Sequence, residues 1–339
     1  MKPNYQAWDI NIDDFYKITN EREKLKFLLK FAILAPSAHN TQPWNFSIRD
    51  NSIIILKNQK RLLKQGDSLT RQFYISIGCM LENVTIAANF YGLNSGIFYF
   101  NNGNKIARIN FSFLSPNKDD NHLIHQIINR CTNRGKFKKE LPVASFVKEI
   151  EKESGKGIKV FVIDDKEKDE KDSIADIVNL AQIESMDSDD FREELSHYVK
   201  PNFTKEKIGM PGFALGVPAF ISLFLAKLIK KKNMSRVSQK KDIALLKEHT
   251  PLFIIICGEK DTQEYWVSAG HVMERIWLMA EKYGLSCAPF AAAIEHKDYY
   301  KKLQEILGTS MRPLVFLRAG YAIKKAFHSP RFTVNELLI

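Results

Sequence analysis

The chain has 339 residues, 45% of them hydrophobic and 26% charged. At ~150 residues per domain that is about two domains' worth of chain, and the composition excludes a disordered, collagen-like or low-complexity protein. Lys and Arg outnumber Asp and Glu 50 to 39, a net charge of +11, which raises nucleic acid, a membrane surface or an anionic ligand as partners.

Residues 21–35 read as the first helix, because Leu25, Leu28, Leu29 and Ala32 recur at helical spacing and Pro36 ends the run. Short strands follow at 45–48 and 53–56, joined by the turn Arg49-Asp50-Asn51. A long helix is predicted over 69–91, stopped by Gly92. Strands at 97–100 and 106–113 form a hairpin around Asn102-Gly103. Pro142 suits the first turn of a helix reaching about residue 153, and Ser154-Gly155-Lys156-Gly157 is the turn before a strand at 158–163. Then come a helix at 172–186, an irregular stretch at 188–240, an apolar strand at 252–257, a second long helix at 261–283 stopped by Gly284, and a strand at 314–317. The tail 321–339 is polar first and apolar last, so its end is expected to dock on the body of the protein.

A shift of 192 residues aligns the two long helices. It sets Ser76 on Ser268, Gly78 on Gly270, Glu82 on Glu274, Ala88 on Ala280, and Tyr91-Gly92-Leu93 on Tyr283-Gly284-Leu285. Amphipathic periodicity alone forces some such matches. The expectation is an α+β chain of two related halves, 1–120 and 121–339, packed like a homodimer with the long helices at its centre.

Other classes receive little support. The four cysteines, Cys79, Cys131, Cys257 and Cys287, include no C-x-x-C pair, so a reducing compartment, the cytoplasm, is expected. Residues 1–14 have no apolar signal-peptide core, and the apolar stretch 213–229 is interrupted by Pro218, Ser222 and Lys227, which argues against a spanning helix. His122 and His125 form H-x-x-H without an evident third ligand, so no metal site is expected. No G-x-G-x-x-G, Walker A, G-x-S-x-G, helix-turn-helix or zinc-finger pattern occurs, so no nucleic-acid partner is expected.

The segment 35–44 reads A-P-S-A-H-N-T-Q-P-W between a helix and a strand. Ser37, Asn40 and Gln42 put short hydrogen-bonding side chains on a proline-bounded loop, which can recognise the edge of a planar heteroaromatic. Taken alone, the same residues also describe a turn with Asx-type bonds. His39 either reaches a ligand or packs in the loop. Arg130, Thr132 and Arg134 stand at i, i+2 and i+4, an arrangement that suits either a phosphate, through charge-assisted forks, or a solvated basic turn.

The 35–44 loop resembles the signature loop of the FMN-dependent nitroreductase superfamily. Arg71 with the helix around Gly78, the Gly270-to-Glu274 and Tyr283-Gly284-Leu285 pattern, and Leu317-Arg318-Ala319-Gly320-Tyr321 are similar to the single-chain branch typified by the Acg proteins. In that branch both halves of a nitroreductase dimer are fused. The resemblance implies a nitroreductase-like α+β fold and one FMN site at the seam. Pro36, Ser37, Ala38, His39, Asn40 and Gln42 would come from the first half. Arg130, Thr132 and Arg134, with Thr where the family has Ser, and Arg331 would hold the phosphate. Pro289, Phe290, Ala291 and Ala292 would lie beside the reactive nitrogen, where the family often carries Glu-Gly instead of the two alanines.

It further implies an NAD(P)H-dependent oxidoreductase acting on a small nitro or quinone acceptor, with no catalytic side chain because the cofactor carries the chemistry. An FMN-sequestering protein with a closed lid is the alternative. The stretch 188–240 would be the lid. Its lysine cluster (Lys227, Lys230, Lys231, Lys232, Arg236, Lys240, Lys241), next to apolar 213–226, leaves a second possibility, contact of 213–232 with an anionic membrane surface.

Overall fold

A computed structural model describes residues 2–100, 103–113 and 123–339. In the first half, α1 (Glu21–Ala32) is followed by β1 (Trp44–Arg49), β2 (Ser52–Lys57), α2 (Arg71–Phe90), β3 (Leu93–Tyr99) and β4 (Lys105–Phe113). Asn20 caps α1 by accepting from the Glu23 amide. The helix closes three residues earlier than its periodicity predicts, and residues 33–35 finish as tight turns whose last carbonyls bond outside the helix.

The second half holds α3 (Ile124–Asn129), α4 (Ala144–Glu151), β5 (Ile158–Ile163), α5 (Lys168–Ser185), α6 (Asp189–Tyr198), the two-residue strands β6 (Val199–Lys200) and β7 (Met210–Pro211), α7 (Ala219–Lys231) and α8 (Met234–Glu248). It continues with β8 (Leu252–Gly258), α9 (Gln263–Lys282), β9 (Ser286–Pro289), α10 (Ala292–Glu295), α11 (Tyr299–Ile306), β10 (Arg312–Gly320) and α12 (Val334–Leu337). The stretch 188–240, expected to be irregular, is largely helical. Its helices pack on one another around a small core of Met186, Val199, Met210, Leu225 and Ile229 rather than on the main sheets, so their periodicity follows a local surface. The turn residue Asn102, His122 of the H-x-x-H pair, and the proposed boundary at 120/121 lie outside the described residues.

The two antiparallel sheets have strand orders β1-β2-β4-β3 and β5-β8-β10-β9. These are the same order once β1, β2, β3 and β4 are matched to β5, β8, β9 and β10. The two long helices begin and end at the shift of 192 residues read from the sequence, and each closes on a left-handed glycine, Gly92 or Gly284. They cross at Gly78 and Gly270. A Cβ on Gly78 would lie 2.1 Å from the Val267 carbonyl, and one on Gly270 would lie 2.1 Å from the Ile75 carbonyl. These contacts are themselves related by the same shift, so the chain is an intrachain pseudo-dimer with a two-fold through its central helix pair.

The halves differ in their layers. In β8, Leu252, Ile254 and Ile256 enter the central core, while Phe253, Ile255 and Cys257 enter a second core with α5, α8, α10 and α11. A strand buried on both faces requires the continuous apolar run seen in the sequence. The C-terminal tail crosses back to the first half, where Leu338 pairs with Phe46 and the Ile339 amide donates to the Phe46 carbonyl at 2.9 Å. The expected docking of the terminus is thus onto the edge of β1.

Candidate functional site

The loop between α1 and β1 is backbone-strained. His39, Asn40 and Gln42 have φ of 50°, 57° and 48°, a left-handed region that costs a non-glycine residue about 1–2 kcal/mol. Such a conformation persists only where the surroundings over-determine it, and it clusters at functional sites. Here the side chains fix it. The Ser37 hydroxyl accepts from the Gln42 amide at 2.9 Å. Gln42, fully buried, donates to the Lys207 carbonyl at 2.7 Å and accepts from the Phe332 amide at 3.0 Å. Asn40 donates to the carbonyls of Gly209 (2.9 Å) and Pro330 (3.0 Å), and its Oδ1 accepts from Arg331. Pro36 and Ala38 are half-buried, and a cavity of about 10 Å³ lies under the loop between Ala38, Thr41, Asp67 and Ser76, room for a water and no more.

Arg331 reaches this loop because the tail returns to the first half. Its guanidinium also donates to the carbonyls of Leu34 and Ala35, each at 3.4 Å, and lies over Trp8. Arg130 donates to the same Leu34 carbonyl at 2.7 Å, pairs with Glu274 at 3.1 Å and stacks over Trp277. Arg130 is therefore engaged with a carboxylate. Arg134 is half-buried, and among the described residues its hydrogen bonds go to the Ala214 carbonyl at 3.4 Å and the Met210 sulfur at 3.8 Å. A second guanidinium, the fully buried Arg318, lies close enough to repel it and donates to the carbonyls of Asn133 (3.0 Å) and Gly135 (2.6 Å) on either side of Arg134. Among the described residues, Arg134, Arg318 and Arg331 form no ion pair with a carboxylate. Burial pushes Arg134 down to about 10, and Arg318 and Arg331 down to about 9. An arrangement of buried guanidiniums in excess over carboxylate suits an anion of two charges.

Thr132 pairs through its backbone with Cys287, next to β9. This brings the 132–135 segment beside Pro289, and Arg318 lies over Phe290 at 5.9 Å. The Phe290 amide is taken by the Phe316 carbonyl at 3.0 Å, whereas the Ala291 and Ala292 amides have no described acceptor. The structure therefore gathers the 37–42 loop with Arg331, and the 132–134 segment with the 289–292 segment. Arg134 and His39 join the two groups, since Arg134 is close enough to disfavour protonation of His39.

The insertion lies over the loop. His39 packs against Phe191 and Tyr198 with its Nε2 buried and unbonded, and desolvation lowers it to about 4. Glu194 of α6 accepts from the backbone amides of Lys64, Gln65 and Gly66, the last at 2.7 Å. Glu194 has no local sequence signal, because its partners are brought close only by folding, whereas Asp67, whose carboxyl burial raises to about 7, accepts from the nearby amides of Gln72 and Phe73 at the start of α2. Arg318 had a sequence signal, a single charge within the apolar run 313–320, one residue past the predicted strand. Among the described residues no group of three His, Cys, Asp or Glu side chains converges as a metal site, and no helix is long and apolar enough to cross a membrane.

A sequence model of the family described as "Putative TM nitroreductase" matches residues 11–78. The chain is 22% identical over 345 residues to "Probable NAD(P)H nitroreductase PigM" of Serratia sp., covering 93% of each. It is 22% identical over 329 residues to "Putative NAD(P)H nitroreductase Rv3131" of Mycobacterium tuberculosis, covering 94% of this chain and 90% of that one. Against "Putative NAD(P)H nitroreductase acg" of the same species it is 29% identical over 91 residues, 26% of this chain and 28% of that one.

Proposed function

We propose that the chain is a member of the nitroreductase superfamily, in the single-chain branch that includes the Acg proteins, and that it is an FMN-dependent oxidoreductase that uses NADH or NADPH to reduce a small acceptor of the nitro or quinone type. The observation that carries the reading is the set Arg134, Arg318 and Arg331, buried or half-buried and in no ion pair among the described residues, beside a strained loop at the seam of the two halves. Arg134, held only by long contacts, and the unbonded Nε of Arg331 are the donors that fit a flavin phosphate.

Bound FMN supplies the hydride chemistry. The chain's residues position and neutralise. Arg134 and Arg331 hold the phosphate charge, and Arg318 fixes the carbonyls on both sides of Arg134 so that its fork is presented in one orientation. Arg130 keeps the α1 terminus and Glu274 in place behind them. Ser37, Asn40 and Gln42 orient the ring edge and its side chain, and the Ala291 and Ala292 amides stand beside the ring. Asn40 and Gln42 are at present bonded to the carbonyls of Gly209 and Lys207, so the segment 188–217 acts as a lid that yields these donors when it lifts. The four free cysteines fit a reducing compartment such as the cytoplasm.

The test is steady-state oxidation of NADH and NADPH by FMN-loaded protein with nitroaromatic and quinone acceptors. Turnover is expected, and Arg134→Ala is expected to weaken FMN binding at least about tenfold, the loss of a charge-assisted pair. A bound, reducible flavin without turnover would identify a flavin store instead of an enzyme. Protein that takes up no FMN would overturn the site.

A further inference from the structure

Helix α7 is apolar on nearly every side for its first two and a half turns. Its inner face, Ser222, Leu225 and Ile229, is buried in the small core of the insertion, and Ser222 accepts from the Asn202 amide at 3.0 Å. Among the described residues nothing covers its outer face. Phe220 is 76% exposed, Leu223 and Phe224 53% each, and Ile221 and Leu228 are exposed beside them. A helix apolar all round is ordinarily buried on both sides, and an exposed apolar patch of this kind marks an interaction surface.

The character of the surface changes along the helix. The apolar turns come first, and Lys227, Lys231 and Lys232 follow on the exposed side at its C-terminal end. None of the three forms an ion pair among the described residues. Nearby charges are otherwise matched: Lys230 pairs with Glu193, Arg236 with Asp187, and Arg192 with Asp189, leaving Asp190 as the exposed acid on α6. The exposed edge of α8 adds Lys240 and Lys241. A second copy packed about a two-fold along the helix would set these lysines against each other, and one packed about a perpendicular two-fold would lay them beside the partner's apolar turns, so neither arrangement gives the lysines an acidic partner. At 13 residues the helix is about 20 Å long, too short to cross a hydrocarbon core of about 30 Å. Aromatic and aliphatic side chains flanked by unpaired lysines suit a helix lying in the plane of an anionic interface.

We propose that α7 docks this protein on the surface of anionic lipid bilayers, with Phe220, Leu223 and Phe224 inserted at the headgroup boundary and Lys227, Lys231 and Lys232 on the lipid phosphates. The inference is independent of the flavin reading, because none of these residues belongs to the cofactor site.

The experiment is flotation of the full-length, FMN-loaded protein with vesicles of phosphatidylcholine alone and of equal parts phosphatidylcholine and phosphatidylserine. The protein is expected to float with the mixed vesicles and not with the neutral ones, and to be released by salt. The variant K227E/K231E/K232E is expected to lose about two orders of magnitude in partitioning, and Phe220→Ser with Phe224→Ser to lose at least about tenfold. Circular dichroism and size-exclusion profiles should match wild type, since the substituted side chains face outward. No flotation with either vesicle, flotation that the lysine reversals leave intact, or a wild-type dimer that Phe224→Ser dissolves would each overturn the proposal, the last in favour of a second copy as occupant.

Discussion

At the scale of single residues, His39 shows how the loop stores strain in a titratable form. It holds a left-handed backbone, and its ring is buried against Phe191 and Tyr198 with Nε2 unbonded. Desolvation, the largest influence, depresses it from 6.5 to about 4, with Arg134 acting in the same direction and Glu194 opposing. A depressed histidine takes up its proton in the unfolded chain first. Its contribution to stability is therefore intact above about pH 6.5, declines as pH falls toward about 4, and levels off below. The loss over that window is on the order of 3 kcal/mol. His39→Asn, which keeps a side chain tolerant of positive φ, is expected to flatten this part of the pH–stability profile in urea unfolding. Parallel profiles for wild type and variant would show that His39 does not titrate in this range.

Among elements, α6 meets the first half through the packing of Phe191 and Tyr198 on His39 and through the carboxylate of Glu194. Glu194 accepts from the backbone amides of residues 64–66, and charge-assisted bonds of this type contribute about 1.5–3 kcal/mol each when partly shielded. Glu194→Gln keeps the shape and removes the charge. We expect faster amide exchange and proteolysis confined to 188–217, with the opening equilibrium raised about tenfold or more, and faster exchange of bound FMN. Unchanged exchange in that segment would show that the lid is held elsewhere. The central helices carry the opposite design. Gly78 and Gly270 let two backbones meet where a methyl group would lie 2.1 Å from a carbonyl oxygen, so the seam is fixed while its cover is held by polar contacts.

For the whole molecule, the two-fold of the fold is not a two-fold of the chemistry. The equivalent of the 35–44 loop in the second half is the turn Ser154-Gly155-Lys156-Gly157 between α4 and β5, which has neither prolines nor an Asn–Gln pair. The buried arginines without carboxylates gather at one seam only among the described residues. One FMN per chain is therefore expected, measured as flavin absorbance against protein concentration after desalting. A ratio near two would mean that the second seam is also a functional site.

How much of this could be read in advance follows from range. The repeat was legible because helix length, the crossing glycine and the glycine stop are local properties that recur at one offset, and they already implied a pseudo-dimer in place of two independent domains. The loop was legible because prolines, short polar residues and a tryptophan sit in ten consecutive positions. The helices of 188–240 were less so, because they pack on each other in a core of their own. The partners of each arginine could not be read at all. Sequence spacing gave Arg130 and Arg134 equal standing, yet folding ties Arg130 to Glu274 and leaves Arg134 beside Arg318 without an acid.

The amino-acid sequence by itself determined the two-half architecture, the proline-bounded loop at 35–44 and the basic excess, since these rest on periodicity, composition and contiguous motifs. Tertiary structure decided where that charge acts. Burial and charge pairing are set by residues hundreds of positions apart, and they separate the +11 of the chain into arginines enclosed at the seam and lysines left open beside an uncovered apolar helix.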